Sequence, residues 1–268
     1  MTIAFIAGSG LAAGLESVLP DMQRRGPVTT PYGEVPVFFD GRHHGTRVII
    51  LPRHGEDIGG KPQRSPAELV RTRGYEANAW FLGQNGAREA YGFSAVGSLE
   101  TDLPLADAGV FVVPNSYGRG FAASQHSFGT AARVVHAGMR QPFDEGLRLA
   151  LISATERAGL AVARSNPGRE ARGLYIYNGG DCFETPEEII AISRLYAGPW
   201  PRVVGMTTVP EAQLLAQLGI PFAALCSNVN YAEGLSPATI ISHEQTLRVM
   251  KAAGEMIARI CSELILAV

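Results

Sequence analysis

Apolar positions along the chain fall into short unbroken runs and longer stretches with helical spacing. Residues 3–7, IAFIA, form a run with no polar interruption, the mark of a strand buried on both faces. The run leads straight into Gly8-Ser9-Gly10. Runs at 35–39 and 47–51 predict two more strands, with Asp40-Gly41 between them as a hairpin-type signal. Ser65-Pro66-Ala67-Glu68 reads as a capping box with proline at the first helical position. The helix that follows runs to Gly83, reset at Gly74. Strands are expected at 88–95, 110–113, 173–177, 203–209 and 220–226, and helices at 143–159 and 210–218. Thr185-Pro186-Glu187-Glu188 opens another helix. Ser242-His243-Glu244-Gln245 caps a long C-terminal helix whose inward positions include Leu247, Met250, Ile257, Ile260 and Leu264. Residues 115–142 carry Gly, Ser, His and Pro without a period, and a loop of that length is usually functional or covers a partner. Alternating strands and helices define an α/β class. With no repeat, linker or low-complexity tract, residues 1–268 read as one domain.

Composition narrows this picture. The 23 Lys and Arg nearly cancel 25 Asp and Glu, and charged residues are 18% of the chain, below the roughly 25% usual for soluble domains. Apolar residues at 46% suffice for a sizeable core. The 31 Gly and 17 Pro stay under the roughly 25–30% that marks disordered composition. A nucleic-acid-binding tail and an acidic solvating chain are excluded. A surface this poor in charge suits partial cover by another subunit. No stretch reaches the roughly 18 apolar residues of a spanning helix, so no membrane partner is expected. The apolar start has no Lys or Arg before Arg24, which argues against a cleaved signal. Cys182, Cys226 and Cys261 are odd in number and widely spaced, neither a disulfide framework nor a zinc pattern. A reducing cytoplasm and no metal are expected.

Six places carry candidate chemistry. Gly8-Ser9-Gly10-Leu11-Ala12-Ala13 after a strand fits the loose dinucleotide fingerprint, but residues 19–34, with Pro20, Gly26, Pro27, Pro31 and Gly33, do not make a βαβ unit. The same glycines suit a plain tight turn or an anion cradle, with Ser9 adding a hydroxyl. Arg53-His54 ends a strand, where a guanidinium offers planar donors to an oxyanion. Phe183-Glu184-Thr185 precedes a capped helix, and Glu184 there fits a first-turn acid equally well. Gly205-Met206-Thr207-Thr208-Val209-Pro210-Glu211 places hydroxyls beside a helix start. Asn228-Val229-Asn230 follows a strand, and His243 follows Ser242. Taken singly, each fits a cap, a turn or a surface charge.

Taken in order, they resemble the trimeric purine nucleoside phosphorylase and methylthioadenosine phosphorylase family. The resemblance also rests on Thr30-Pro31-Tyr32-Gly33, residues 75–80 (YEANAW), residues 94–99 (SAVGSL), Val229-Asn230 and His243-Glu244. It implies a single-domain phosphorylase/hydrolase-like fold with a mixed, twisted, partly barrel-like central sheet flanked by helices. It implies cleavage of the N-glycosidic bond of a purine nucleoside by inorganic phosphate, giving free purine and a ribose, deoxyribose or 5-methylthioribose 1-phosphate. Phosphate is then a co-substrate, and no metal or organic cofactor is used. By the same resemblance Ser9, Arg53, His54, the Ala95 backbone and Thr207 hold phosphate. Phe183 stacks on the base, Val204, Met206 and Val229 line the base and sugar, and Glu184 and Asn230 bind the base edge. His243 takes the 5′-hydroxyl, and Tyr75 lies on the sugar side. Residues 135–139 resemble a loop that reaches a neighbour's site in a homotrimer, which makes His136 a contact from another subunit.

Departures from the family pattern sharpen the substrate expectation. The methylthioadenosine branch carries Asp at the positions of Asn230 and Ala232, so an adenine preference is weakened and 6-oxopurine nucleosides are favoured. The wording RHG and MTTVPE leans toward that branch all the same. Val229 replaces a common Thr. Asp181 stands where proline is usual. The long 55–74 loop carries Glu56 and Asp57, acids unfavourable near an anion, and is expected to swing away or gate access. The alternatives are a methylthioadenosine phosphorylase, a dinucleotide-binding oxidoreductase resting on GSGLAA, and a relative that binds nucleosides without turnover.

Overall fold

The IAFIA run is the strand Thr2–Ala7 (β1), which lies parallel between two others at the centre of the main sheet. Its unbroken apolar character has a direct cause. Ile3, Phe5 and Ala7 enter one core and Ala4 and Ile6 enter the other, so both faces of the strand are dry. The computed structural model describes residues 1–8, 11, 15, 19, 21–55, 63–130, 132–164, 171–235 and 241–267, with the His243 side chain outside that set.

The other strands are Gln23–Arg25 (β2), Val28–Thr30 (β3), Gly33–Val35 (β4), Phe38–His43 (β5), Thr46–Pro52 (β6), Glu89–Ser98 (β7), Val110–Phe111 (β8), Ser116–Arg119 (β9), Ala161–Val162 (β10), Leu174–Tyr177 (β11), Arg202–Gly205 (β12) and Phe222–Tyr231 (β13). The helices are Pro66–Arg71 (α1), Gly74–Gln84 (α2), Glu145–Arg157 (α3), Pro186–Leu195 (α4), Thr208–Gln217 (α5) and His243–Leu266 (α6). The large sheet runs β2-β5-β6-β1-β7-β12-β11-β9, with β13 added on β7. It is mixed: β1, β6, β7 and β13 are parallel, while β12 joins β7 antiparallel. Helices α3 and α6 cover the face holding Ile3 and Phe5, and α2 and α5 cover the other.

The helix caps form where the sequence places them. Ser65 Oγ accepts from Glu68 N at 3.1 Å, Thr185 and Glu188 form a reciprocal box, and Ser242 Oγ accepts from Gln245 N at 3.1 Å. Met250, Ile257, Ile260 and Leu264 are buried. Leu247 is not: it is exposed, two residues before the buried stripe begins at Val249.

Three expectations are corrected, and the expected failure of residues 19–34 to make a dinucleotide unit agrees with the fold. Asp40-Gly41 lies inside β5, and the hairpin turns at His44-Gly45, both with positive φ. Gly41 is there for space, since a Cβ would stand 2.7 Å from Met22 Sδ. The long 115–142 stretch contributes β9, which pairs with β11. The helix of the MTTVPE run starts at Thr208 rather than Pro210, because three early helical positions need no N–H partner and tolerate proline. The dinucleotide unit does not form: the strand after β1 is the edge strand β2, antiparallel to β5, and Asp40 pairs with Arg47 at 2.8 Å. Residues 9, 10, 12 and 13 of the GSGLAA run lie outside the described residues.

Candidate active site

The sheet changes partners at β7, and a cavity opens there. Strand β1 pairs with β7 as far as Gly92, and β12 takes over the same edge from Gly97. Between them, Phe93, Ser94, Ala95 and Val96 have no strand partner on that edge among the described residues. Their backbone polar groups need other partners, and such a switch point is where α/β sheets bind ligands. The cavity holds about 420 Å³, within the range of small-molecule sites.

Arg53 follows the end of β6 and is buried at this gap. Its Nε and Nη2 are bonded to the Glu211 carboxylate of α5, the latter at 2.8 Å, and Nη1 donates to Phe93 O at 3.0 Å. The guanidinium is therefore not an open fork. It reaches the cavity already paired with an acid. Gly8 makes the approach possible, because a Cβ there would stand 2.7 Å from Phe93 O and 3.1 Å from Arg53 Nη1. His54 Nδ1 lies 2.7 Å from Arg64 O, so that nitrogen carries the proton and donates.

Thr207 sits at the N-terminus of α5 with its Oγ1 3.2 Å from Ser94 Oγ. Its backbone N–H does not face an empty helix end. Tyr175 Oη accepts from Thr207 N at 3.1 Å and from Thr208 N at 3.3 Å. Burial raises the Tyr175 phenol above its ordinary value, so it stays a neutral hydroxyl. Gly205 leaves room for that ring. Arg53, His54, Ser94, Ala95 and Thr207 all line the cavity, giving one guanidinium, two hydroxyls and exposed backbone to an oxyanion.

The rest of the wall comes from three other segments. Val204 and Met206 belong to β12 and the turn after it. Phe183 and Glu184 precede α4; Phe183 is 38% exposed at the rim, while Glu184 is buried. Val229 and Asn230 come from β13, where the register slips between Asn228 and Asn230. Adjacent strand residues normally point to opposite faces. The bulge at Val229 lets both line one cavity. Asn230 Nδ2 donates to Tyr231 O at 3.0 Å and would lie 3.2 Å from a Cβ on Gly97. Burial pushes the Glu184 carboxyl above the ordinary carboxylate range, while its own backbone N–H and Asn178 pull the other way.

One expected residue stands elsewhere, and His136, expected to act on a neighbour, lies away from its own chain's cavity. Tyr75 is buried behind the wall, where its hydroxyl donates to Met206 O at 3.4 Å and its ring meets His126 edge-on; it does not line the cavity. Its place on α2 puts it under the MTT turn. His136 is exposed and does not line the cavity of its own chain. Ser9, Glu56, Asp57 and the His243 side chain lie outside the described residues; Thr246, one turn along α6, does line the cavity.

The sequence reading passed over several wall and supporting residues. Gln63, Arg64, Ser65 and Pro66 form a wall at the end of the long loop. Asp181 fastens that wall by accepting from Ala67 N at 3.0 Å, which accounts for an acid at the usual proline position. Gly180 passes between Pro66 and Met206, where a Cβ would stand 2.9–3.0 Å from each. Ser94 belongs to the SAVGSL motif, and its hydroxyl is the local signal. Glu211 ends the Gly205–Glu211 motif, but nothing local marks its pairing with Arg53, and Tyr175 has no local signal.

A family model described as the phosphorylase superfamily matches residues 2–266. A probable S-methyl-5′-thioinosine phosphorylase of Pseudomonas syringae pv. tomato is 34% identical over 257 residues, covering 92% of this chain and 93% of the relative. A probable 6-oxopurine nucleoside phosphorylase of Thermococcus kodakarensis is 32% identical over 256 residues, covering 92% and 85%. The methylthioadenosine phosphorylase of Schistosoma mansoni in complex with adenine superimposes with a TM-score of 0.82 at 23% identity, over 100% of this chain and 91% of that one.

Proposed function

Since the chain belongs to the phosphorylase superfamily, we propose that it is a pentosyltransferase that cleaves purine nucleosides with inorganic phosphate, with 6-oxopurine nucleosides as substrates. The observation that carries this reading is the single cavity joining Arg53, Ser94 and Thr207 to Glu184 and Asn230. Inosine, guanosine and 5′-methylthioinosine are the nucleosides meant. The relatives named as thioinosine and 6-oxopurine phosphorylases support the same choice.

Phosphate binds along the β7 gap, held by Arg53, His54, Ser94, Thr207 and the Ala95 backbone. The Arg53–Glu211 pair presents a nearly neutral unit, so the anion is oriented without being over-neutralised and keeps its nucleophilicity. The bond from sugar to base breaks as the sugar gains oxocarbenium character, and the phosphate charge beside it stabilises that state. Electrons pass into the purine. Asn230 offers an amide N–H to O6 and an amide oxygen to protonated N7. Glu184 accepts from N1–H. Phe183 stacks against the base at the rim, and the His243 end of α6 takes the 5′ side. Inorganic phosphate is the co-substrate, and this route uses no metal or organic cofactor.

In this reading the active unit is a homotrimer in the cytoplasm, and residues 135–139 of a neighbour complete the sugar side. Exposed Val134 and His136 fit such a contact. The direct test is hypoxanthine release from inosine with and without phosphate, together with recovery of ribose 1-phosphate. Release that requires phosphate supports the reading; release without it, or none from any purine nucleoside, overturns it.

A further inference from the structure

Asn178 extends the β11–β12 ladder by donating its backbone N–H to Gly205 O at 3.0 Å. Its side chain then spans two segments. Oδ1 accepts from Phe121 N at 3.3 Å, and Nδ2 donates to Glu184 Oε1 at 3.2 Å. A backbone N–H only donates, so the amide oxygen must face Phe121 and the amide nitrogen must face Glu184. The 119–121 backbone is held close for this purpose. Gly120 N donates to Tyr177 O at 2.7 Å, and a Cβ on Gly120 would stand 3.1 Å from Asn178 Oδ1. Asn178 is thus a fixed donor aimed at one oxygen of a buried carboxylate.

We propose that Asn178 is a positioning residue for base specificity, holding Glu184 as an ionised acceptor toward the base. The proposal rests on the reading of Glu184 given above. A 6-oxopurine carries a hydrogen on N1, and a carboxylate accepts it. Adenine N1 is an acceptor, and only a carboxylic acid serves it. Burial favours the acid form of Glu184, and Glu188 on α4 and Glu233 after β13 push the same way. Among the described residues, Asp181, Arg53, Arg64 and His54 are the other charged or titratable groups on the cavity wall. The Asn178 amide N–H, which cannot accept a proton, opposes burial and favours the charged form. Its bond to Oε1 also fixes how the carboxylate is oriented.

The test compares the wild type with Asn178→Asp. Aspartate keeps an oxygen for Phe121 N–H but replaces the donor facing Glu184 with an acceptor. The kcat/KM ratio of inosine to adenosine should fall roughly tenfold or more, and the acid limb of the inosine pH profile should move about one pH unit higher. Binding of hypoxanthine and adenine by calorimetry gives the same comparison without turnover. A folded variant that loses activity on both nucleosides equally, with its acid limb and its base-binding ratio unmoved, overturns the proposal. Should Asn178→Asp fail to fold, Asn178→Ala is read by the same two criteria. A wild type that binds hypoxanthine but does not turn over would sink the catalytic reading alone. A wild type that binds no purine base would sink both.

Discussion

Glu211 grips Arg53 through both carboxylate oxygens, one on Nε and one on Nη2 at 2.8 Å, with both side chains buried. With Phe93 O also bonded to Nη1, a hydrogen on each of Nη1 and Nη2 of the five-donor guanidinium has no partner among the described residues. In the proposed reaction, phosphate therefore meets a compensated cation. Burial of the pair is costly in itself, and removing one partner of such a pair is costlier still.

Glu211→Gln is expected to destabilise the protein by about 3 kcal/mol, read as a Tm lower by several degrees. Its uncompensated Arg53 should also bind phosphate more tightly and turn it over more slowly. Phosphate KM and kcat should both fall. A lower Tm with unchanged KM and kcat would reduce the pair to a structural role.

Tyr175→Phe tests the start of α5. Two backbone N–H groups, of Thr207 and Thr208, lose their acceptor, at about 1–3 kcal/mol. Thr207 should loosen, raising phosphate KM several-fold while hypoxanthine affinity stays near wild type. Equal losses for phosphate and base would contradict this division of the cavity.

The pH dependence follows from Glu184. Its folded carboxyl lies above its unfolded value because of burial, so the ionised form costs folding stability at neutral pH. That cost fades as pH falls through the folded value. Glu184→Gln should therefore be at least as stable as wild type at pH 7, with the advantage shrinking in acid. The acid limb of inosine phosphorolysis, above the ordinary carboxylate range in wild type, should disappear in the variant. Thermal unfolding and kcat/KM from pH 4 to 8 measure both.

Asn230→Asp replaces an amide that both donates and accepts with an acceptor-only group. Activity should shift toward adenosine and methylthioadenosine, by about tenfold or more in the kcat/KM ratio. An unchanged ratio would remove Asn230 from base recognition.

The legible parts of this molecule are those whose cause lies within a few residues. The two-faced burial of β1 shows in an unbroken apolar run, and the caps at Ser65, Thr185 and Ser242 show in hydroxyls three residues ahead of their targets. Ten of the expected wall residues, from Arg53 to Asn230, do line one cavity; most lie at strand ends or just before helices, while Ala95 and Val229 lie inside β7 and β13. The rest depends on distant partners. Glu211 lies 158 positions from Arg53, and no local pattern marks the pair. The β7 gap exists only because β1 stops and β12 begins on one edge. The slip at Val229 needs the β7 register to be seen. Tyr75 carried the right residue type for a sugar contact, but α2 turns its hydroxyl to Met206 O instead.

The most direct measurement is a side-by-side kcat/KM determination for inosine, 5′-methylthioinosine, adenosine and methylthioadenosine at saturating phosphate, repeated without phosphate. Phosphate-dependent release of hypoxanthine from the first two is expected, at least tenfold faster than adenine release from the last two. A preference for the adenine nucleosides, or base release that ignores phosphate, would contradict it.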